Sequence, residues 1–135
     1  MIFSVTCIRS IALAGDIQEI ATISEAMSHI FRYSIKADDM VSVEQELKCV
    51  QAYMEIMQIR FPNKLTFEMD IDPEAAKQTI PKMILQPIVE NAVYHGLEAK
   101  LGAGTLRLCG RMIEDSVLCF EITDNGAGME PETVA

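Results

Sequence analysis

Asn91 and His95 stand four residues apart, and about thirty residues later the chain reads Asp124-Asn125-Gly126-Ala127-Gly128. A carboxamide oxygen can ligate Mg²⁺, and a carboxylate can accept from an adenine amino group. Glycines, lacking Cβ, let backbone approach a ligand closely. On a helix, Asn91, His95 and Glu98 share one face, whereas Glu90, Tyr94 and Leu97 share another. That puts an imidazole one turn from the carboxamide, near a phosphate or a reacting hydroxyl. The same residues also fit blander roles. A solvated polar face can end in a histidine that complements the helix dipole and be closed by Gly96. Asp-Asn-Gly is ordinary turn chemistry. The second glycine, Gly128, is not needed by a hairpin turn but is useful where backbone lies against a purine.

The elements that would position these residues follow from periodicity. Ile17, Ile20, Ile23, Met27, Ile30 and Phe31 fall at helical spacing and form one apolar stripe. Gly15-Asp16 marks a break with Asp16 as N-cap, and the helix runs to about Ile35. The polar connector KADDM covers residues 36–40. Ser42 and Gln45 fit a capping box that opens a helix to about Arg60, with Leu47, Val50, Met54, Met57 and Phe61 facing in. Pro62-Asn63 ends it. Leu65, Phe67, Met69 and Ile71 alternate as in a strand, and residues 72–79 read as a loop or weak helical turn. Pro81 and Pro87 bracket the start of a helix reaching about Leu97, and Gly102–Gly104 make a turn. Thr105–Ile113 and Val117–Thr123 read as a hairpin around Glu114-Asp115-Ser116. The fold class is α+β. A helical segment, 1–60, precedes an α+β part, 61–135.

Composition narrows the function classes. The chain has 135 residues, half of them apolar, enough for one core or one and a half. A net charge of −9 argues against nucleic acid, whose affinity needs basic phosphate contacts. Few aromatics and no basic run argue against membrane-surface binding by this segment. No uninterrupted apolar window is long enough to cross a bilayer. The apolar N-terminus lacks a leading basic region and keeps helical spacing, so it reads as a truncated helix rather than a signal peptide. Cys7, Cys49, Cys109 and Cys119 form no CxxC pair and sit in apolar contexts, as buried reduced thiols do.

The order and spacing of ENAVYHG and DNGAG resemble the N box and first glycine box of the GHKL ATPase fold, in the form used by sensor histidine kinases of the LytS/YesM type. The resemblance extends over nearly the whole chain. It includes Arg32-Tyr33-Ser34, the helix VSVEQELKCVQAYMEIMQIRF with Glu44, Glu46, Tyr53 and Arg60, and the segment IPKMILQPIVENAVYHG. It implies an N-terminal helical dimerisation segment followed by a partial GHKL (Bergerat-type) α/β sandwich. It implies that Asn91 ligates Mg²⁺, that Glu90 and His95 line the catalytic side with Glu90 as base, and that Asp124 reads adenine. Gly126 and Gly128 would shape the purine pocket. The cofactors implied are ATP and Mg²⁺. The partners implied are a second copy, paired through the N-terminal helices, and a response regulator. Phosphoryl transfer would run from MgATP to a histidine and then to the regulator.

The chain also departs from that pattern. A PHFLFN-like phosphoacceptor motif is expected just before Met1, and the second glycine box and lid after Ala135. The sequence therefore reads as a catalytically incomplete fragment of the cytoplasmic portion of a bacterial membrane kinase, with the membrane reached only through upstream segments. His29 reads as an exposed helix residue rather than the phosphoacceptor. Two other readings stand beside this one: another GHKL ATPase, such as an anti-sigma-factor serine kinase, and a helical dimerisation or adaptor module that binds no nucleotide.

Overall fold

A computed structural model describes residues 9, 12–13, 15, 17–36, 38–99, 104–124 and 132–134. Helix α1 (Ile17–Ile35) precedes a short strand β1 (Met40–Ser42) and helix α2 (Val43–Arg60). Strand β2 (Leu65–Ile71), the one-turn helix α3 (Pro73–Ala76) and strand β3 (Thr79–Pro81) lead into helix α4 (Gln86–Ala99). Strands β4 (Gly104–Ile113), β5 (Val117–Asp124) and β6 (Glu132–Val134) follow. The α+β expectation holds.

The start of α2 forms as its sequence dictates. The Ser42 side chain accepts from the Gln45 amide at 3.1 Å, while the Gln45 side chain accepts from the Ser42 amide at 3.0 Å. Two donors that the helix itself cannot satisfy are thus paired reciprocally. At the other end Asn63 turns the chain with φ of 62°. That left-handed conformation is one asparagine tolerates better than most residues.

The main sheet has the order β2-β4-β5-β6. β4 and β5 form the expected antiparallel hairpin, with Ile113 opposite Val117. β2 and β4 run parallel, Leu65 opposite Gly104. A parallel pair needs a long crossover, and this one carries α4. On β4 the residues Leu106, Leu108 and Gly110 are buried, while Arg107 and Arg111 face outward and grip Asp70 of β2 at 3.1 and 2.7 Å. Arg111 and then Arg107 hold the Asp70 carboxyl below the usual carboxylate range. A Cβ at Gly110 would stand 3.0 Å from the Phe120 ring and 3.2 Å from Ile71, so the missing side chain lets Phe120 close the core there.

One apolar core runs from Ile23 and Ile30 of α1, through Val50 and Met54 of α2 and Val89 and Val93 of α4, to Leu108 and Ile122 of the sheet. Several expectations change. The end of the polar connector is strand: Met40–Ser42 pairs antiparallel with Thr79–Pro81, a pairing between segments too short to carry a periodic signal. The weak helical turn allowed for residues 72–79, by contrast, forms as helix α3, opened by Pro73, whose ring fixes φ for a first turn. The α1 stripe is split between two faces. Ile23, Ala26, Ile30 and Tyr33 are buried, whereas Ile17 and Ile35 are 80% and 79% exposed and Phe31 is also exposed. Met69 shares the inward side of β2 with Phe67 and Ile71 but is 40% exposed, because β2 is the edge strand of the sheet. His29 is half-buried, not exposed. It lines a groove of about 370 Å³ between α1 and α2 with Glu25, Lys48, Gln51 and Glu55. Its Nε2 is shielded there without a hydrogen-bond partner among the described residues. The Asp16 cap and most of the Gly102–Gly104 turn lie outside the described residues, and Gly104 itself begins β4.

Candidate functional site

Helix α4 carries most of the residues singled out above. Val89, Ala92 and Val93 are buried against the core, which turns Glu90, Asn91, Tyr94 and His95 outward. Asn91 and His95 therefore lie on the solvent side one turn apart, as their spacing requires. The Tyr94 and His95 rings meet edge to face, 5.7 Å between centroids. The side chains of Leu97 and Glu98, and all of Gly126 and Gly128, lie outside the described residues.

Gly96 does not end the helix. α4 passes through it to Ala99. The reason for a glycine is spatial: a Cβ there would stand 2.8 Å from Oδ2 of Asp124 and 3.7 Å from its Cγ. Real Cβ atoms do not approach an oxygen so closely. The Asp124 carboxylate at the end of β5 thus occupies the space a side chain on α4 would fill. This contact brings the two motifs together, and Asn91 lies about 7.5 Å further back along the helix axis. A half-buried carboxylate and an outward carboxamide on neighbouring elements suit a ligand with an adenine at one end and metal-bound phosphates at the other. Among the described residues no group of three or more His, Cys, Asp or Glu side chains could hold a metal by itself.

Glu90 occupies the side of α4 that faces α2. Gln86, buried one turn earlier, donates from Nε2 to Glu90 Oε1 at 3.2 Å. Burial pushes the Tyr53 hydroxyl up to about 12, and the Glu90 charge adds to it. Burial likewise pushes the Cys49 thiol from 9.0 up to about 11, with the charges of Glu46 and Glu90 contributing. Both groups hold their protons more tightly folded than unfolded. Their stabilising contribution is complete below the unfolded values and is lost as pH rises through the folded ones. Urea midpoints measured from pH 8 upward are therefore expected to fall beginning near pH 9, with Cys49→Ala starting its decline later than wild type. A flat midpoint up to pH 11 would contradict the burial of these groups.

Sequence reasoning missed the spatial role of three residues. Glu46, fully buried in α2, accepts from Tyr33 Oη, from Met83 N and Leu85 N at 3.0 Å each, and more weakly from Gln86 N at 3.4 Å. Lys82 donates from Nζ to the Ser34 and Lys36 carbonyls at 3.1 and 2.6 Å. Gly96 receives Asp124. The available signals were a glutamate on the apolar side of α2 and a glycine inside a helical pattern.

A family profile described as histidine kinase matches residues 2–65. The sensor histidine kinase YesM of Bacillus subtilis is 34% identical over 121 residues, covering 89% of this chain and 21% of that protein. The sensor histidine kinase YpdA of Escherichia coli is 34% identical over 114 residues, covering 80% of this chain and 19% of its own length. The chain thus spans about a fifth of the length of these curated relatives. Among solved structures, the histidine kinase domain of a blue-light activated histidine kinase from Erythrobacter litoralis shares the fold. Its TM-score is 0.50 at 14% identity, over 91% of this chain and 61% of that one. Over residues 2–65 the chain thus matches the histidine kinase family, and over most of its length it is similar to sensor histidine kinases of the YesM type.

Proposed function

We propose that this chain is part of a two-component sensor histidine kinase, contributing the dimerisation and linker helices in residues 1–60 and the first part of the ATPase unit in residues 61–135. The observation that carries this reading is the Asp124 carboxylate seated on Gly96, which supports a single site built from α4 and the end of β5. In the full-length protein, MgATP would phosphorylate a histidine, and the phosphoryl group would pass to a response regulator. Bound MgATP supplies the transferable phosphoryl group and the cation that neutralises its charge.

Within this chain Asp124 would accept from the adenine amino group, and Asn91 would offer its carboxamide oxygen to the metal. Gly126 and Gly128 would let backbone lie against the purine. Glu90 would take the proton from an incoming imidazole, a role supported by its exposure and its anchoring to Gln86. His95 would stand near the phosphates, a reading supported by its outward position one turn from Asn91. The exposed Leu13, Ile17, Phe31 and Ile35 support pairing of α1 with a second copy, since an apolar face left in water favours association. In this reading the segment lies in the cytoplasmic portion of a bacterial membrane kinase; no helix among the described residues is long and apolar enough to cross a membrane.

Calorimetry with Mg-ADP tests the site. The chain is expected to bind, and Asp124→Asn, which turns an acceptor into a group that can present a donor, is expected to weaken binding roughly ten-fold. Equal binding by both would remove Asp124 from the purine pocket. Binding by neither would leave a helical interaction module as the working description of this segment.

A further inference from the structure

Four donors converge on Glu46 from two directions. Tyr33 reaches it from the last turn of α1, and the amides of Met83, Leu85 and Gln86 reach it from the strap between β3 and α4. Lys82, on the same strap, closes the arrangement from the other side. Its ammonium caps the C-terminal carbonyls of α1 at Ser34 and the following Lys36, and lies 5.4 Å from the Tyr33 ring. Its amide donates to the Asp39 carbonyl at 2.9 Å. Met83 adopts φ of 64°, the left-handed region that a side chain enters only when its surroundings compel it. The Met83 amide donates to the Glu46 carboxylate at 3.0 Å.

We propose that Tyr33, Glu46 and Lys82 form a link through which the end of α1 sets the start of α4, making Tyr33 and Glu46 positioning residues for Asn91. The consequence for Asn91 rests on the nucleotide reading above, whereas the link stands on these contacts alone. The two ends of the link serve different elements. α1 packs on α2 and turns its outer apolar face away from the protein. α4 carries the nucleotide-facing residues five positions after Gln86. A shift at the end of α1 would move the Tyr33 hydroxyl, loosen one side of the Glu46 carboxylate and let Met83 relax toward negative φ. The strap would then release the first turn of α4. A strained residue held by one acceptor supplies the two-state element that such coupling requires.

The test is amide hydrogen exchange, read residue by residue by NMR, on the full chain and on its Tyr33→Phe and Lys82→Met variants. Phenylalanine keeps the ring in the core and removes only the hydroxyl, so the variant is expected to fold. The Met83, Leu85 and Gln86 amides are expected to exchange about ten-fold faster in Tyr33→Phe. Leu108, Phe120 and Ile122 in the sheet should change much less, and Lys82→Met should act on the same amides in the same direction. A purely structural role for Tyr33 would lower protection uniformly. Equal change in strap and sheet, or no change in the strap, overturns the link. Mg-ADP affinity, measured in parallel, should fall about three-fold in Tyr33→Phe if the link positions Asn91. Unchanged affinity in a variant whose strap has loosened overturns the positioning role. If the unaltered chain binds no Mg-ADP, the nucleotide reading fails and the exchange data alone decide the link.

Discussion

Glu46→Ala is expected to destabilise the protein by about 4 kcal/mol, as much as deleting a large buried leucine. The residue has no solvent exposure, and its carboxylate accepts from one side-chain hydroxyl and three backbone amides. Alanine removes every acceptor at once. Each donor left dry costs roughly 1–3 kcal/mol, and water entering the space recovers part of that sum. Domains of this size are stable by roughly 5–15 kcal/mol, so the variant should sit close to its unfolding threshold at room temperature. Urea denaturation with an unchanged slope and a much lower midpoint is the expected record. Glu46→Gln should fall between, since the amide keeps one acceptor oxygen but turns an NH₂ toward donors. A loss below about 1 kcal/mol for Glu46→Ala would mean that water replaces the carboxylate at little cost, and that the strap is held chiefly by the β1–β3 pairing.

The same residue marks where sequence reading stopped. Long periodic elements were legible. Helices α1 and α2, the Ser42–Gln45 capping box, strand β2 and the β4–β5 hairpin all follow from spacing and turn chemistry, because each shows its pattern within a short stretch of sequence. What escaped depends on long-range geometry. Strands β1 and β3 are three residues each, too short for alternation to show, and exist because the chain meets itself across about forty residues. Glu46 stands on the apolar side of α2, but its role as an acceptor exists only once the strap folds over it. The left-handed Met83 carries no glycine or asparagine to announce it. The α1 stripe was visible, but periodicity alone did not divide it into a face for α2 and a face left exposed. At the candidate site, the residue types were legible in the two motifs, whereas their meeting point was not. Gly96 reads from sequence as a helix stop and is in space the seat of Asp124.

That meeting point permits stability and binding to be separated in one substitution. Glycine within a helix costs roughly 1 kcal/mol relative to alanine, so Gly96→Ala should leave folding stability unchanged or slightly raised. The new methyl would stand 2.8 Å from Asp124 Oδ2, which must give way. The carboxylate is the far end of a short side chain and can rotate, so the fold survives. Rotation takes its oxygens from where an adenine amino group would meet them, and the methyl fills part of the space between α4 and β5. Loss of a directed hydrogen bond together with steric intrusion is expected to weaken Mg-ADP binding roughly a hundred-fold, more than Asp124→Asn does. Combining the two changes should cost little beyond Gly96→Ala alone, because both act on one carboxylate and neighbouring effects are not additive. Calorimetry on the two single variants and the double variant, with urea midpoints alongside, measures both halves of this expectation. Full additivity in the cycle would place Gly96 and Asp124 in separate roles. A lowered urea midpoint in Gly96→Ala would mean that the carboxylate has nowhere to turn, and that this glycine serves the packing of α4 against β5 before it serves a ligand.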